Sequence, residues 1–135
     1  MPARIREPLE TAEIIAEYLD LPITVEPLIA ERFFYTCDIG SSLADLRARW
    51  PRLVFDHLQD PWWPQAEETE EAILRRSESF RRRMAGEAWS KLAVVTHWGF
   101  IRALTGLTAP NGAVLRIDPT RPGGEPEAIF MPAPC

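Results

Sequence analysis

The sequence predicts an α/β fold, and two observations carry that prediction. Residues 92–96 read Leu-Ala-Val-Val-Thr, an apolar run typical of a strand that is buried on both faces of a sheet. Helical and strand patterns alternate before and after this run, as expected for an α/β domain. At 135 residues the chain has room for one domain at most, so residues 1–135 are assigned to a single domain.

The first predicted element is a helix over residues 9–19. Its apolar positions Ala12, Ile15 and Leu19 fall on one face, and the sequence Asp-Leu-Pro that follows ends it. A short strand is predicted next, at residues 23–25.

Capping signals mark the two helices of the middle region. Ser42 begins a capping-box pattern that predicts a helix to about residue 49. Residues 59–66 are predicted to be a loop. A longer helix follows over residues 69–85 with Gly86 as its stop, and its apolar face is formed by Ile73, Phe80 and Met84 with the small Ser77.

The C-terminal part begins with the apolar strand at residues 92–96. A helix over residues 99–105 follows, and Gly106 ends it. Two further strands are predicted at residues 113–117 and 128–131.

His97 stands where an α/β sheet binds anions. Ligands lie beyond the carboxyl ends of the strands, where the next helix presents unpaired N–H groups. An imidazole at the end of the 92–96 strand therefore predicts a phosphate site. From the position alone, a histidine that only packs or caps is the favoured interpretation, and the phosphate site stays open beside it.

Residues 94–106, Val-Val-Thr-His-Trp-Gly-Phe-Ile-Arg-Ala-Leu-Thr-Gly, resemble the second-histidine motif of the histidine phosphatase superfamily, in its phosphoglycerate-mutase-like branch. Trp98 replaces the first glycine of the usual motif. Segments that resemble other family elements precede it in the family's order, at residues 4–16, 25–32 and 68–76.

The resemblance extends over residues 4–118 and implies a three-layer α/β/α fold of the phosphoglycerate-mutase-like type. Residues 37–69 are more similar to phosphatase-like members than to mutases. The family's nucleophile is a histidine in an Arg-His-Gly motif at the end of its first strand, and this sequence contains no Arg-His-Gly. We therefore expect the chain to be N-terminally truncated relative to the family, through an upstream start codon, a shortened gene or descent as a non-catalytic relative.

The resemblance also implies roles for individual residues. His97 would be the second histidine, which stabilises transferred charge, and Glu31 would be the proton donor to the leaving alcohol. Arg6 is the nearest match to the phosphate-binding arginine, although the strict alignment places Glu7 there, and Trp98 would lie at the substrate. Family members need no metal or other cofactor, so none is expected.

Other candidates have structural interpretations. Glu68 and Thr69 are predicted to cap the following helix, and Arg81, Arg82 and Arg83 to form its exposed face. His57 is predicted to be a surface or packing residue. Tryptophans 62 and 63, like Trp98, suit either a substrate mouth or simple packing.

Composition restricts the partners. The net charge of −5 argues against nucleic acid and anionic membranes, while arginine supplies 14 of the 15 basic residues and suits phosphate recognition. Two cysteines form no disulfide framework, so a cytoplasmic location is expected. No signal peptide or long apolar span is visible.

The resulting prediction is a phosphomonoesterase whose complete form works through a phosphohistidine intermediate. This chain is predicted to be inactive because it lacks the nucleophilic histidine. Its partners would be phosphate or a small phosphorylated substrate, and self-association is expected because a central strand is missing. Two alternatives remain open. One is a non-catalytic phosphate-binding pseudoenzyme, and the other is a small α/β interaction protein.

Overall fold

A computed structural model describes residues 6–34, 40–121 and 126–133. The helices are α1 (Arg6–Leu19), α2 (Leu43–Arg49), α3 (Glu70–Gly86) and α4 (Trp98–Thr105), with a 3-10 turn at Pro27–Ile29 before α2. Strands β1 (Val114–Arg116) and β2 (Glu127–Phe130) form an antiparallel pair. This mixture of helices and a small sheet confirms the predicted α/β class. Within the described ranges, no helix combines the length and apolarity needed to cross a membrane.

Helix α3 is the central support of the structure. Thr69 is its N-cap and accepts the N–H of Ala72 through its hydroxyl at 3.1 Å, as predicted. The buried face consists of Ile73, Ser77, Phe80 and Met84, which confirms the predicted apolar stripe. Because Ser77 is small, α4 approaches closely, and the Ser77 hydroxyl donates to the carbonyl of Ala103 at 3.3 Å. The helix thereby determines where α4 lies.

Two apolar clusters form the core. The first joins α1 to α2 and the segment after it, and its buried members are Leu9, Leu43, Leu46, Trp50, Phe55 and Leu58. The second joins α3 to α4 through Phe80, Met84 and Phe100. The rings of Phe80 and Phe100 meet edge to face with centroids 5.7 Å apart, a favoured aromatic geometry.

The predicted face of α1 is only partly buried. Ala12 and Ile15 are half-buried, and Leu19 is 51% exposed, so the rest of the structure covers only part of this apolar face. The predicted helix start at Ser42 is confirmed for α2, where Ser42 is the N-cap residue. Ser42 accepts the N–H of Asp45 at 3.1 Å and donates its hydroxyl to the Asp45 carboxylate at 2.8 Å.

The strand predictions have a divided outcome. Those at 113–117 and 128–131 are confirmed as β1 and β2 with shifted bounds, whereas residues 23–25 and 92–96 belong to no strand. Across the described part of the chain, no backbone hydrogen bond joins residues 92–95 to another strand, and residues 92–94 are exposed. The prediction of a doubly buried strand there is wrong, because an apolar run becomes a strand only where a neighbouring strand pairs with it.

An open apolar cleft of about 390 Å³ lies between α1, the segment before the 3-10 turn, and residues 92–97. Helix α1 contributes Leu9, Ala12 and Ile15 to its wall. Leu92 and Val94 also line the cleft, and their side chains are exposed. His97 lies at the end of this lining segment.

Candidate functional site

His97 is positioned by the start of α4. It is the N-cap residue in extended conformation (φ −105°, ψ 166°), and its carbonyl accepts the N–H of Ile101 at 2.9 Å. The helix ends where the sequence predicts, at Gly106, whose left-handed conformation (φ 73°) suits glycine. The half-buried imidazole of His97 therefore lies beside the N-terminal end of a helix, where free N–H groups favour anions.

Glu31 comes to the same turn from 66 residues earlier in the chain. A Cβ atom at position 99 would overlap the Glu31 carboxylate, so Gly99 is the residue that admits this carboxylate to the first turn of α4. The N–H of Arg32 donates to Glu31 Oε1 at 2.7 Å and turns the carboxylate toward the helix. The structure thus brings together the neighbourhoods of the two predicted catalytic residues, His97 and Glu31.

The segment that carries Glu31 has no helix or strand of its own beyond the 3-10 turn, and side chains from α3 hold it. The guanidinium of Arg76 donates to the carbonyls of Leu28 and Ala30, each at 2.7 Å. It also pairs with the buried carboxylate of Glu68 through two hydrogen bonds of 2.9 and 2.7 Å. From the other side, the Thr96 hydroxyl donates to the carbonyl of Ile29.

The predicted role of Glu68 as a helix cap is wrong. Thr69 alone supplies the side-chain cap, while the side chain of Glu68 pairs with Arg76 and its N–H donates to the carbonyl of Phe33 at 2.7 Å. Arg76 belongs to the family-like segment 68–76, but the sequence prediction gave it no role, although a signal was present. Arg76 follows Ile73 by three residues and so lies on the buried stripe of α3, where a charged group requires a partner.

The two predicted substrate-binding residues lie in different places. Arg6 is the half-buried first residue of α1, and Pro8 and Leu9, just after it, line the cleft that His97 also lines. Trp98 is 47% exposed and lines a second, much smaller recess, with its ring 5.7 Å from the guanidinium of Arg102. Whether either residue contacts a substrate remains a prediction.

The sequence comparison decides the family. The family model described as histidine phosphatase superfamily (branch 1) matches residues 7–119. The chain belongs to the histidine phosphatase superfamily. No curated protein and no solved structure matches it. The matched range contains both His97 and Glu31, so the superfamily assignment covers the turn at which the structure brings them together.

The three consecutive arginines of α3, residues 81–83, form ion pairs with carboxylates other than Glu31. Arg81 and Arg82 both bind Glu78, and these hydrogen bonds, that of Arg81 foremost, hold the pKa of Glu78 at about 2. Arg83 pairs with Glu26 and Glu87. The predicted exposed helix face is confirmed for Arg82 and Arg83, whereas Arg81 is half-buried and donates to the carbonyl of Pro119.

Trp62 and Trp63 pack against the chain at Gly40, and His57 lies on the surface. The rings of Trp62 and Trp63 close over Gly40, where a Cβ would lie 2.6 and 2.7 Å from them, and Trp62 donates its indole N–H to the carbonyl of Ser41 at 2.8 Å. Trp62 also lines the cleft. His57 is exposed and its Nε2 lies 2.8 Å from the carbonyl oxygen of Val25, which confirms the predicted surface role. Among the residues described, no group of three metal-binding side chains converges.

Proposed function

We propose that this chain carries the second-histidine part of a phosphomonoesterase site. The observation that carries the proposal is the approach of the Glu31 carboxylate to Gly99, two residues after His97, within a chain that belongs to the histidine phosphatase superfamily. An imidazole and a carboxyl group at one helix N-terminus can serve two steps of phosphoryl transfer. One stabilises charge on phosphoryl oxygens, and the other gives a proton to the leaving alcohol.

In the complete form of such a site, the phosphorus–oxygen bond to the alcohol breaks as a bond to the histidine of an Arg-His-Gly motif forms. Glu31, protonated, would supply the proton that the departing alkoxide takes up. Water then attacks phosphorus and gives a proton to the Glu31 carboxylate, the phosphorus–nitrogen bond breaks, and inorganic phosphate leaves. His97 would donate a hydrogen bond to the phosphoryl oxygens throughout.

We propose further that the 135-residue chain binds phosphate or a small phosphorylated compound without turning it over. Its two histidines are His57 and His97, and neither is part of an Arg-His-Gly motif. His57 is tied to Val25 on the surface and has no glycine turn behind it. The same site would then act as a phosphate-binding pseudoenzyme. The usage of only two cysteines supports a cytoplasmic setting.

A second candidate, a small α/β interaction protein, draws support from one observation. The apolar cleft of about 390 Å³ is open, and Leu92 and Val94 beside it are exposed. In that case the site turn would be structural, and neither phosphate nor vanadate would bind there.

Oxyanion binding tests the first proposal. We expect vanadate to bind the chain, and His97→Ala to weaken that binding roughly tenfold or more, since a hydrogen bond to a charged group contributes about 1.5–3 kcal/mol. Isothermal titration calorimetry with inorganic vanadate is the measurement. His57→Ala is the matched control and should leave the affinity unchanged, because His57 bonds to Val25 outside the site.

Turnover is measured alongside binding. The unaltered 135-residue chain should show no hydrolysis of p-nitrophenyl phosphate above background at any pH from acid to neutral. Hydrolysis that disappears in His97→Ala would mean that the chemistry has been assigned to the wrong residues. Equal losses of vanadate affinity in the two histidine variants would remove His97 from its role, and an absence of binding would favour the interaction protein.

A further inference from the structure

The charged pair of Arg76 and Glu68 lies next to the segment that carries Glu31. The two side chains are 16% and 7% exposed, so both charges are largely withdrawn from water. Such burial is unfavourable unless hydrogen bonds satisfy the groups. Here Arg76 bonds to two carboxylate oxygens and three backbone carbonyls, and all five acceptors lie on segments that flank the site.

Two of these bonds reach the backbone of Glu31 and of the residue before it. The carbonyl of Ala30, immediately before it, accepts from Arg76 at 2.7 Å. On its other side, Arg32 donates through Nε to the carbonyl of Glu68 at 3.1 Å and pairs with Glu70 at 2.6 Å. The backbone on both sides of Glu31 is therefore fastened to the first two turns of α3.

Arg76 also reaches the other half of the site. Its guanidinium carbon lies 5.4 Å from the centre of the Phe100 ring, which belongs to the first turn of α4. Phe100 is fully buried and directly follows Gly99, the residue that the Glu31 carboxylate approaches. One side chain therefore contacts both the segment that carries Glu31 and the helix turn that receives it.

We propose that Arg76, held by Glu68, is a positioning residue that sets the Glu31 carboxylate against Gly99 at the N-terminus of α4. Its importance for phosphoryl chemistry rests on the proposed function, whereas the positioning itself does not. Arginine is required because its planar group directs five N–H donors at fixed angles, whereas the three donors of a lysine ammonium cannot satisfy two carboxylate oxygens and three carbonyls together. Arg76→Lys should therefore release the segment while keeping the charge.

Backbone amide resonances measured by NMR test the positioning. The Arg32 amide, which donates to Glu31 Oε1, and the Gly99 amide report on the place of the carboxylate. We expect Arg76→Lys to shift both resonances, and Glu31→Gln to shift the same two. In a chain that already carries Glu31→Gln, adding Arg76→Lys should produce only a small part of its original shift, because the group through which Arg76 acts has been changed.

Two further variants complete the test. Arg75→Lys is the control, since Arg75 lies on the same helix and its pair with Glu71 is exposed, and it should shift neither resonance. Glu68→Gln keeps the shape of the side chain at position 68 but removes the charge that holds Arg76. It should produce the same shifts as Arg76→Lys, and it replaces Arg76→Lys in the test if the lysine variant folds poorly. Shifts of equal size with and without Glu31→Gln would overturn the proposal, because Arg76 would then act on the fold alone.

A vanadate titration of the same variants separates this proposal from the proposed function. If vanadate binds, Arg76→Lys should change its affinity and Arg75→Lys should not. If vanadate fails to bind the unaltered chain while the amide shifts follow the expected pattern, the positioning role stands and the phosphate site does not. If vanadate binds and the amides do not respond to Arg76→Lys, the phosphate site stands and the positioning role of Arg76 does not.

Discussion

Replacing Glu68 by alanine is expected to lower the free energy of unfolding by about 3 kcal/mol or more. The substitution leaves the guanidinium of Arg76 largely buried without its carboxylate, and a buried charge that loses its partner is strongly destabilising. Because a domain of this size has a total stability of roughly 5–15 kcal/mol, the loss is a large fraction of the whole. Urea denaturation followed by circular dichroism measures it.

Glu71→Ala is the matched control for this prediction. Glu71 pairs with Arg75 one turn along α3, but their side chains are 81% and 65% exposed, so water replaces the lost partner. The control should change stability by about 1 kcal/mol at most. Similar losses in the two variants would show that the Glu68–Arg76 pair contributes no more than a surface contact.

The second large effect expected is self-association through residues 92–95. Their backbone groups pair with no strand in the described structure, and Leu92 and Val94 are 47% and 38% exposed. An exposed apolar segment whose backbone groups pair with no strand can serve as a template for pairing with another chain. We therefore propose that the protein associates with itself as its concentration rises, which sedimentation velocity at increasing concentrations would reveal.

A charge at the edge should suppress that association. Leu92→Lys places an ammonium group beside the unpaired backbone and should shift the protein toward monomer. Leu74→Lys is the matched control, because Leu74 is 46% exposed but lies on α3, away from this segment. A monomer with sharp cooperative unfolding at every concentration would contradict the prediction. Equal suppression by both substitutions would locate the interface elsewhere.

The helices could be predicted because their signals are local. Thr69 and Ser42 cap the residues that immediately follow them, and Gly106 adopts the left-handed conformation that ends α4. The family could be predicted for a related reason. The motif around His97 is a continuous run of residues, and its resemblance is confirmed by the match over residues 7–119.

The sequence by itself therefore determined the ends of α2, α3 and α4 to within one residue, the buried stripe of α3 and membership of the histidine phosphatase superfamily, whereas α1 begins three residues before its predicted start. Only the tertiary structure decided that residues 92–96 form no strand and that Glu31 meets Gly99. It also decided that Glu68 pairs with Arg76 instead of capping α3. The physical reason is that helix caps and periodicity act within one or two turns of the chain. A strand requires a partner elsewhere, and the two sides of this site are joined by contacts between residues more than 60 positions apart.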